Sequence, residues 1–185
     1  LPFWVERTTT PSREVSLMSE WETKLKAIVS EVKNKDVGSL TGVPSWMMVL
    51  LQRVLKDTGK KSISEVWPNL EVFFHGGISF VPYREQYKQL IGKDIRYYEI
   101  YNASEGFFGI QDRFGSDEML LMLDYGIFYE FIPMDTFGTE NAKAVSLENV
   151  ELGKNYAVVI TTNGGLWRYL IGDTIRFTDL KPFRF

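Results

Sequence analysis

The sequence predicts an α/β fold: a mainly parallel sheet with flanking helices, followed by a β-rich lobe built as a meander or partial barrel. Two changes of pattern carry that prediction. Up to residue 105, apolar residues at helical spacing alternate with short β-branched and aromatic runs, which is the signature of strands joined by helical crossovers. From Phe107 onward almost every apolar run reads as strand. We therefore divide the chain into 1–105, an α/β layered part, and 106–185, a β-rich part. With 185 residues, 44% hydrophobic and 24% charged, it has enough material for a packed core.

The elements follow in order. Between Glu20 and Val32 the apolar residues Trp21, Leu25, Ile28, Val29 and Val32 share one helical face, with Ser19 in position to cap it. "VGSLTG" reads as a short strand, and "VPSWMMVLLQRVLKDTGK" as a mostly buried helix opened by Pro44 and closed by Gly59. "NLEVFFHGG" is a strand that stops at a double glycine, "PYREQYKQLIG" a helix from Pro82 to Gly92, and "DIRYYEIY" the next strand. Ligands of such sheets sit beyond the carboxyl ends of the strands, which places "HGG" and "NASEG" on the same edge. Two strands are expected in "MLLMLDYGIFYEFIPM" and more in "NYAVVITTNGGLWRYLIGDTIRF", broken at Asn163–Gly165 and at Gly172-Asp173. The polar stretch between them, "DTFGTENAKAVSLENVELGKN", reads as an exposed connection.

Composition narrows the chemistry. There is no cysteine and a single histidine, His75, so thiolate nucleophiles, zinc-thiolate sites and histidine-rich metal centres are excluded. A net charge of -3 gives no general attraction to nucleic acid or to an anionic membrane, and neither is expected as a partner. No apolar run approaches the roughly 20 residues of a membrane span, and "LPFWVERTTT" lacks the pattern of a signal peptide, so a cytoplasmic protein is expected. The phosphate loop G-x-x-x-x-G-K-[ST], the dinucleotide G-x-G-x-x-G, H-E-x-x-H and the G-x-S-x-G elbow are all missing.

Two short stretches carry polar groups in suggestive places. In "YNASEGFFGI" a strand ends at Tyr101 and turns through Ser104 and Glu105. A plain turn accounts for this. So does a ligand site, in which the ring of Tyr101 offers a flat surface to a base while hydroxyl and carboxylate meet phosphate and Mg²⁺. In "WRYLIGDTIRF", Gly172-Asp173 reads either as a β-turn or as an aspartate fixed to accept hydrogen bonds from both hydroxyls of a ribose.

Together the two stretches resemble known motifs. Y-x-x-[ST]-E at 101–105, followed about 70 residues later by Y-x-x-G-D at 169–173, resembles two core motifs of the adenylate-forming superfamily of acyl-CoA synthetases, luciferases and peptide-synthetase adenylation domains. "FFHGGISF" stands about 25 residues before the first, where that superfamily has a Gly-rich segment against adenine. "YNASEGFFGIQ", "YGIFYEFIPMD" and "TTNGGLWRYLIGD" are similar to the auxin-responsive acyl-acid amido synthetases of plants, and more so to their bacterial relatives. The resemblance runs through essentially the whole chain.

It implies part of the large domain of an adenylate-forming enzyme, an ATP-dependent ligase using Mg²⁺. Such an enzyme activates a small-molecule carboxylic acid and passes the acyl group to an amine such as an amino acid. Tyr101 would stack on adenine, Ser104 contact the α-phosphate, Glu105 hold Mg²⁺ on the phosphates and Asp173 bind the ribose hydroxyls, while Gly76 and Gly77 admit the adenine to the backbone. Trp46, Phe107 and Phe108 are candidates for the acyl pocket, with core packing as their other reading, and His75 for its mouth. Plant members usually carry an arginine where Leu170 stands. The family's Ser/Thr/Gly-rich phosphate loop and its C-terminal lid domain with a lysine have no counterpart here, so a middle fragment, inactive alone, is expected. Thioester formation with coenzyme A, or a noncatalytic nucleotide-binding or interaction domain, are the alternatives. The acid, the acceptor and the oligomeric state stay open.

Overall fold

The structure, a computed structural model, describes residues 3–185 apart from the side chain of Trp4; the first two residues of "LPFWVERTTT" lie outside it. It divides into two packed units, one running to Tyr97 and the other Tyr98–Phe185. The sequence division at residue 105 falls inside the second unit, at a turn between two strands.

The first unit begins with short helices α1 (Phe3–Thr8) and α2 (Arg13–Ser16), then α3 (Trp21–Val32). The expected cap at Ser19 is not made. Instead Glu20 caps α3, its carboxylate accepting from the N–H groups of Glu22 at 2.9 Å and Thr23 at 2.6 Å, where the helix carries unpaired donors and positive potential. Leu25, Ile28, Val29 and Val32 are buried as their spacing requires, but Trp21 stays 38% exposed because it stands on the first turn, beyond the packed stripe.

Strand β1 (Ser39–Gly42) leads into α4 (Pro44–Thr58), which starts at its proline and ends where Gly59 turns left-handed. After the short α5 (Ile63–Val66), strand β2 (Val72–Gly76) pairs with β1 in parallel, Gly42 facing His75. The helix expected from Pro82 is a 3-10 turn at Val81–Tyr83 followed by α6 (Arg84–Ile91). Trp67, Leu70, Phe73, Tyr87 and Ile91 are buried together, and two hydrogen bonds pin the layers: Tyr87 Oη donates to the Pro44 carbonyl at 2.7 Å, and Trp67 Nε1 to Val32 at 3.2 Å. These bonds spare buried polar atoms the cost of lost hydration.

The second unit is β-rich, as the strand signals from Phe107 require. Strand β3 (Arg96–Ala103) turns back into β4 (Gly106–Ile110), and five strands run in the order β3, β4, β5 (Leu120–Leu121), a strand at Phe183–Arg184 and one at Asp179–Leu180. The other sheet holds β6 (Ile127–Pro133), β7 (Val145–Ser146), β8 (Asn155–Thr162) and β9 (Tyr169–Arg176) in the order β7-β6-β8-β9. The two remaining strands are β10 (Asp179–Leu180) and β11 (Phe183–Arg184). The parallel register is seen at β1–β2, whereas β3 and β4 are antiparallel because a two-residue turn joins them. The remaining pairings of this unit are antiparallel too.

Phe108, Tyr129, Phe131, Tyr156, Ile160 and Phe177 form the core of this unit. The polar connection after β6 is not wholly exposed: it holds β7 and a 3-10 turn at Leu147–Asn149, and Val150 is buried. Among the described residues no helix is long and apolar enough to cross a membrane.

Candidate functional site

The β3–β4 hairpin closes on Ser104 and Glu105, flanked by the pair Ala103 and Gly106. Neither turn residue has the positive φ that two-residue hairpins favour, so the turn does not follow the natural twist of the strands. The misfit is taken up nearby. Tyr101 pairs with Gly109 and Asn102 with Phe107, leaving Phe108 as an extra residue, a β-bulge. Ser104 is exposed and Glu105 half-buried at the tip.

The second stretch does not break its strand, as the sequence led us to expect; β9 continues through it. Leu170 pairs with Val159 and Thr174 with Ala157, so Ile171, Gly172 and Asp173 all face the single residue Val158. Gly172 takes φ 96°, where an L side chain is strained, and thereby lets the strand bulge. The bulge turns Asp173 outward, exposed, toward β3.

There the two motifs meet. Tyr101 Oη donates to Asp173 Oδ2 at 2.5 Å, a contact between residues 72 positions apart. Burial first, then the bond to Asp173 and the negative charges of Asp173 and Glu105, push the Tyr101 phenol well above its ordinary range. At neutral pH it keeps its proton and donates it to Asp173. Its ring rests on Phe108 at 5.0 Å and meets the edge of Phe185 at 6.1 Å. Gly109 and Phe185 were not singled out from the sequence. The hairpin register opposite Tyr101 would have pointed to Gly109, but no local signal brings Phe185 to it.

Glu105 makes no hydrogen bond or ion pair with another described residue. Among the described residues no group of three or more His, Cys, Asp or Glu side chains gathers for a metal. A single free carboxylate fits Mg²⁺ that keeps its waters and is shared with substrate phosphates; it does not fit an all-protein cage. Phe107 packs on Tyr125 at 5.7 Å, and Phe108 is fully buried in the core.

The remaining candidates belong to the first unit. Trp46 is 58% exposed and meets Trp21 edge-on at 4.9 Å. Gly76 is buried at the end of β2, and Gly77 takes φ 81° against Val43. His75 is buried and stacked on Phe80 at 4.2 Å, and its Nδ1 has no partner. Burial, and to a lesser degree the charge of Arg84, lower its pKa to about 4, so it is neutral at physiological pH.

Residues 1–95 match the GH3 family N-terminal domain and residues 120–184 the GH3 family central domain. Indole-3-acetic acid-amido synthetase GH3.3 of Arabidopsis thaliana is 33% identical over 123 residues, 63% of this chain and 20% of that protein. Putative indole-3-acetic acid-amido synthetase GH3.9 of the same plant is 30% identical over 172 residues, 81% of this chain and 27% of its own length. The chain thus spans about a fifth to a quarter of the length of these relatives. Among solved structures, the GH3.15 acyl acid amido synthetase superposes with a TM-score of 0.69 at 15% identity over 91% of this chain and 40% of its own. A 2-hydroxyisobutyryl-CoA ligase gives 0.61 at 16% identity over 86% and 33%. The α/β fold is that of adenylate-forming enzymes. Two family domains matched in order, the first alone taking in half of the chain, show that the chain belongs to the GH3 family.

Proposed function

We propose that this chain supplies a nucleotide-binding part of an ATP-dependent ligase that adenylates a small carboxylic acid and transfers the acyl group to an amine such as an amino acid. One observation carries the reading: Tyr101 and Asp173, taken from separate motifs, meet side chain to side chain in a GH3 family member. The relatives' names, indole-3-acetic acid-amido synthetases, support amide formation on a small acid.

The roles follow from chemistry. Tyr101 offers its ring to adenine and keeps its proton. Asp173 spends Oδ2 on Tyr101, leaving Oδ1 to accept from a ribose hydroxyl. Ser104, exposed at the hairpin tip, donates to the α-phosphate. Glu105 would hold Mg²⁺, whose charge offsets that of the phosphates. Adenylation of this kind needs orientation and charge stabilisation more than a general base, consistent with a chain that has no cysteine and one neutral histidine. Phe107, packed on Tyr125 in the second unit, is the residue we assign to the acid. Phe108, beneath Tyr101, acts through that ring.

The test is acid-dependent ATP–pyrophosphate exchange by the full-length protein, screened with pools of carboxylic acids, then with amino acids and coenzyme A as acceptors. Exchange followed by amide formation is expected. Exchange with thioester formation alone would replace the amine by coenzyme A, and no exchange with any acid would overturn the reading.

A further inference from the structure

Tyr101 needs a fixed ring if it is to serve as a platform; Phe108 and the bond to Asp173 hold it in part, and the position directly across the hairpin leaves a gap. Its direct partner across the hairpin is Gly109, which has no side chain to stand beside it. The gap is filled from elsewhere. The ring of Phe185 lies over Gly109 so closely that a Cβ there would sit 2.6 Å from Cζ and 3.1 Å from Cε1. Only glycine admits that ring. From this notch Phe185 meets Tyr101 at 6.1 Å with the planes 72° apart, the edge-to-face arrangement aromatic pairs prefer.

Phe185 is itself held. Its N–H donates to the Met119 carbonyl at 3.1 Å and its carbonyl accepts from Met119 at 2.8 Å. The preceding Arg184 is 3% exposed and forks onto Asp112, Nη1 to Oδ1 and Nη2 to Oδ2, the latter at 2.9 Å. A two-pronged pair of this kind fixes direction as well as distance. It leaves Arg184 Nε enclosed without a partner, so this strand is held in place at the cost of an unmet hydrogen bond.

We propose that Phe185, seated on Gly109 and clamped through Arg184–Asp112, is a positioning residue that holds the ring of Tyr101 for the adenine of ATP. The proposal rests on the assignment of Tyr101 as the adenine platform. It gives a role to the "KPFRF" segment, which the functional reading leaves unused.

The test uses adenylation kinetics of the full-length protein with five variants: Tyr101→Ala, Phe185→Ala, Phe185→Leu, Gly109→Ala and the double variant Tyr101→Ala/Phe185→Ala. Phe185→Ala is expected to raise the KM for ATP about tenfold with kcat within about twofold, the pattern of lost ground-state positioning. Phe185→Leu, which keeps apolar volume and guards against a folding failure, should fall between. Gly109→Ala should act in the same direction by displacing the ring. The double variant should be no worse than Tyr101→Ala alone, since both act through one ring. An additive double variant, or an unchanged KM in Phe185→Ala and Phe185→Leu while Tyr101→Ala raises it, overturns the positioning role and leaves the platform standing. An unchanged KM in Tyr101→Ala overturns the platform and this proposal with it.

Discussion

The hydroxyl of Tyr101 donates to Oδ2 of Asp173 at 2.5 Å, so one carboxylate oxygen is already engaged before any ligand arrives. That bond fixes which way Asp173 faces. Replacing Tyr101 by Phe keeps the ring and removes the donor. Because Asp173 is exposed, water replaces the lost partner, and the cost is a typical net hydrogen bond of about 1 kcal/mol. Tyr101→Phe should therefore raise the ATP requirement about fivefold at unchanged maximal rate, read from adenylation against ATP concentration. An equal fall in kcat would show that the hydroxyl acts in the transition state instead.

Glu105 and Asp173 should separate kinetically. Glu105→Gln removes a charge from where phosphate charge shifts during transfer, and should chiefly lower the maximal adenylation rate. Asp173→Asn weakens a grip equally present before and during reaction. It should chiefly raise the ATP requirement, about tenfold to a hundredfold if charge-assisted bonds of roughly 1.5 to 3 kcal/mol are weakened. Steady-state kinetics of both, with circular dichroism as folding control, make the comparison; wild-type behaviour in both would reduce the two stretches to turns.

Gly172 tests conformation without crowding. Nothing lies within 4 Å of a Cβ built there, yet its φ is 96°. Gly172→Ala should cost about 1 to 3 kcal/mol of backbone strain or flatten the bulge and misdirect Asp173. Thermal melting reads the first outcome and the KM for ATP the second. A variant unchanged in both would mean that the bulge tolerates a side chain.

His75 is the chain's one histidine, so its imidazole signal in a proton NMR titration is unambiguous. It should stay neutral down to pH 5 and take a proton near 4. The sign follows from linkage: the unfolded chain binds that proton near pH 6.5, the folded one only near 4. Stability is therefore full above pH 6.5 and lost progressively between 6.5 and 4, by on the order of 3 kcal/mol. His75→Phe should flatten that fall in urea unfolding. A midpoint near 6.5 in the folded protein would show the ring to be open to water.

The sequence made most of this legible where the information is local. Pro44 and Gly59 bracket α4, and alternating apolar residues mark β6 and β8. It misplaced features decided by competition between neighbours. Glu20 outdoes Ser19 as a cap because its longer side chain reaches two N–H groups, and Gly172 bulges β9 without ending it because β8 still pairs on both sides. The candidate site was legible as two motifs. Their meeting was not visible in the residues alone, since it depends on strands that close a loop of 72 residues, and the same separation hides Arg184 from Asp112. No periodicity spans such a distance.

The bulge at Gly172 and Asp173 has a second effect. Strand β9 ends the order of its sheet, and a long flat end strand is a template on which another chain can add itself. Three residues set against one interrupt the row of donors and acceptors that such addition needs, and the exposed charges of Asp173 and Arg176 border the gap. The distortion that turns Asp173 outward thus also guards this edge against strand addition. A change that straightened β9 would redirect Asp173 and leave an unbroken end strand open to pairing.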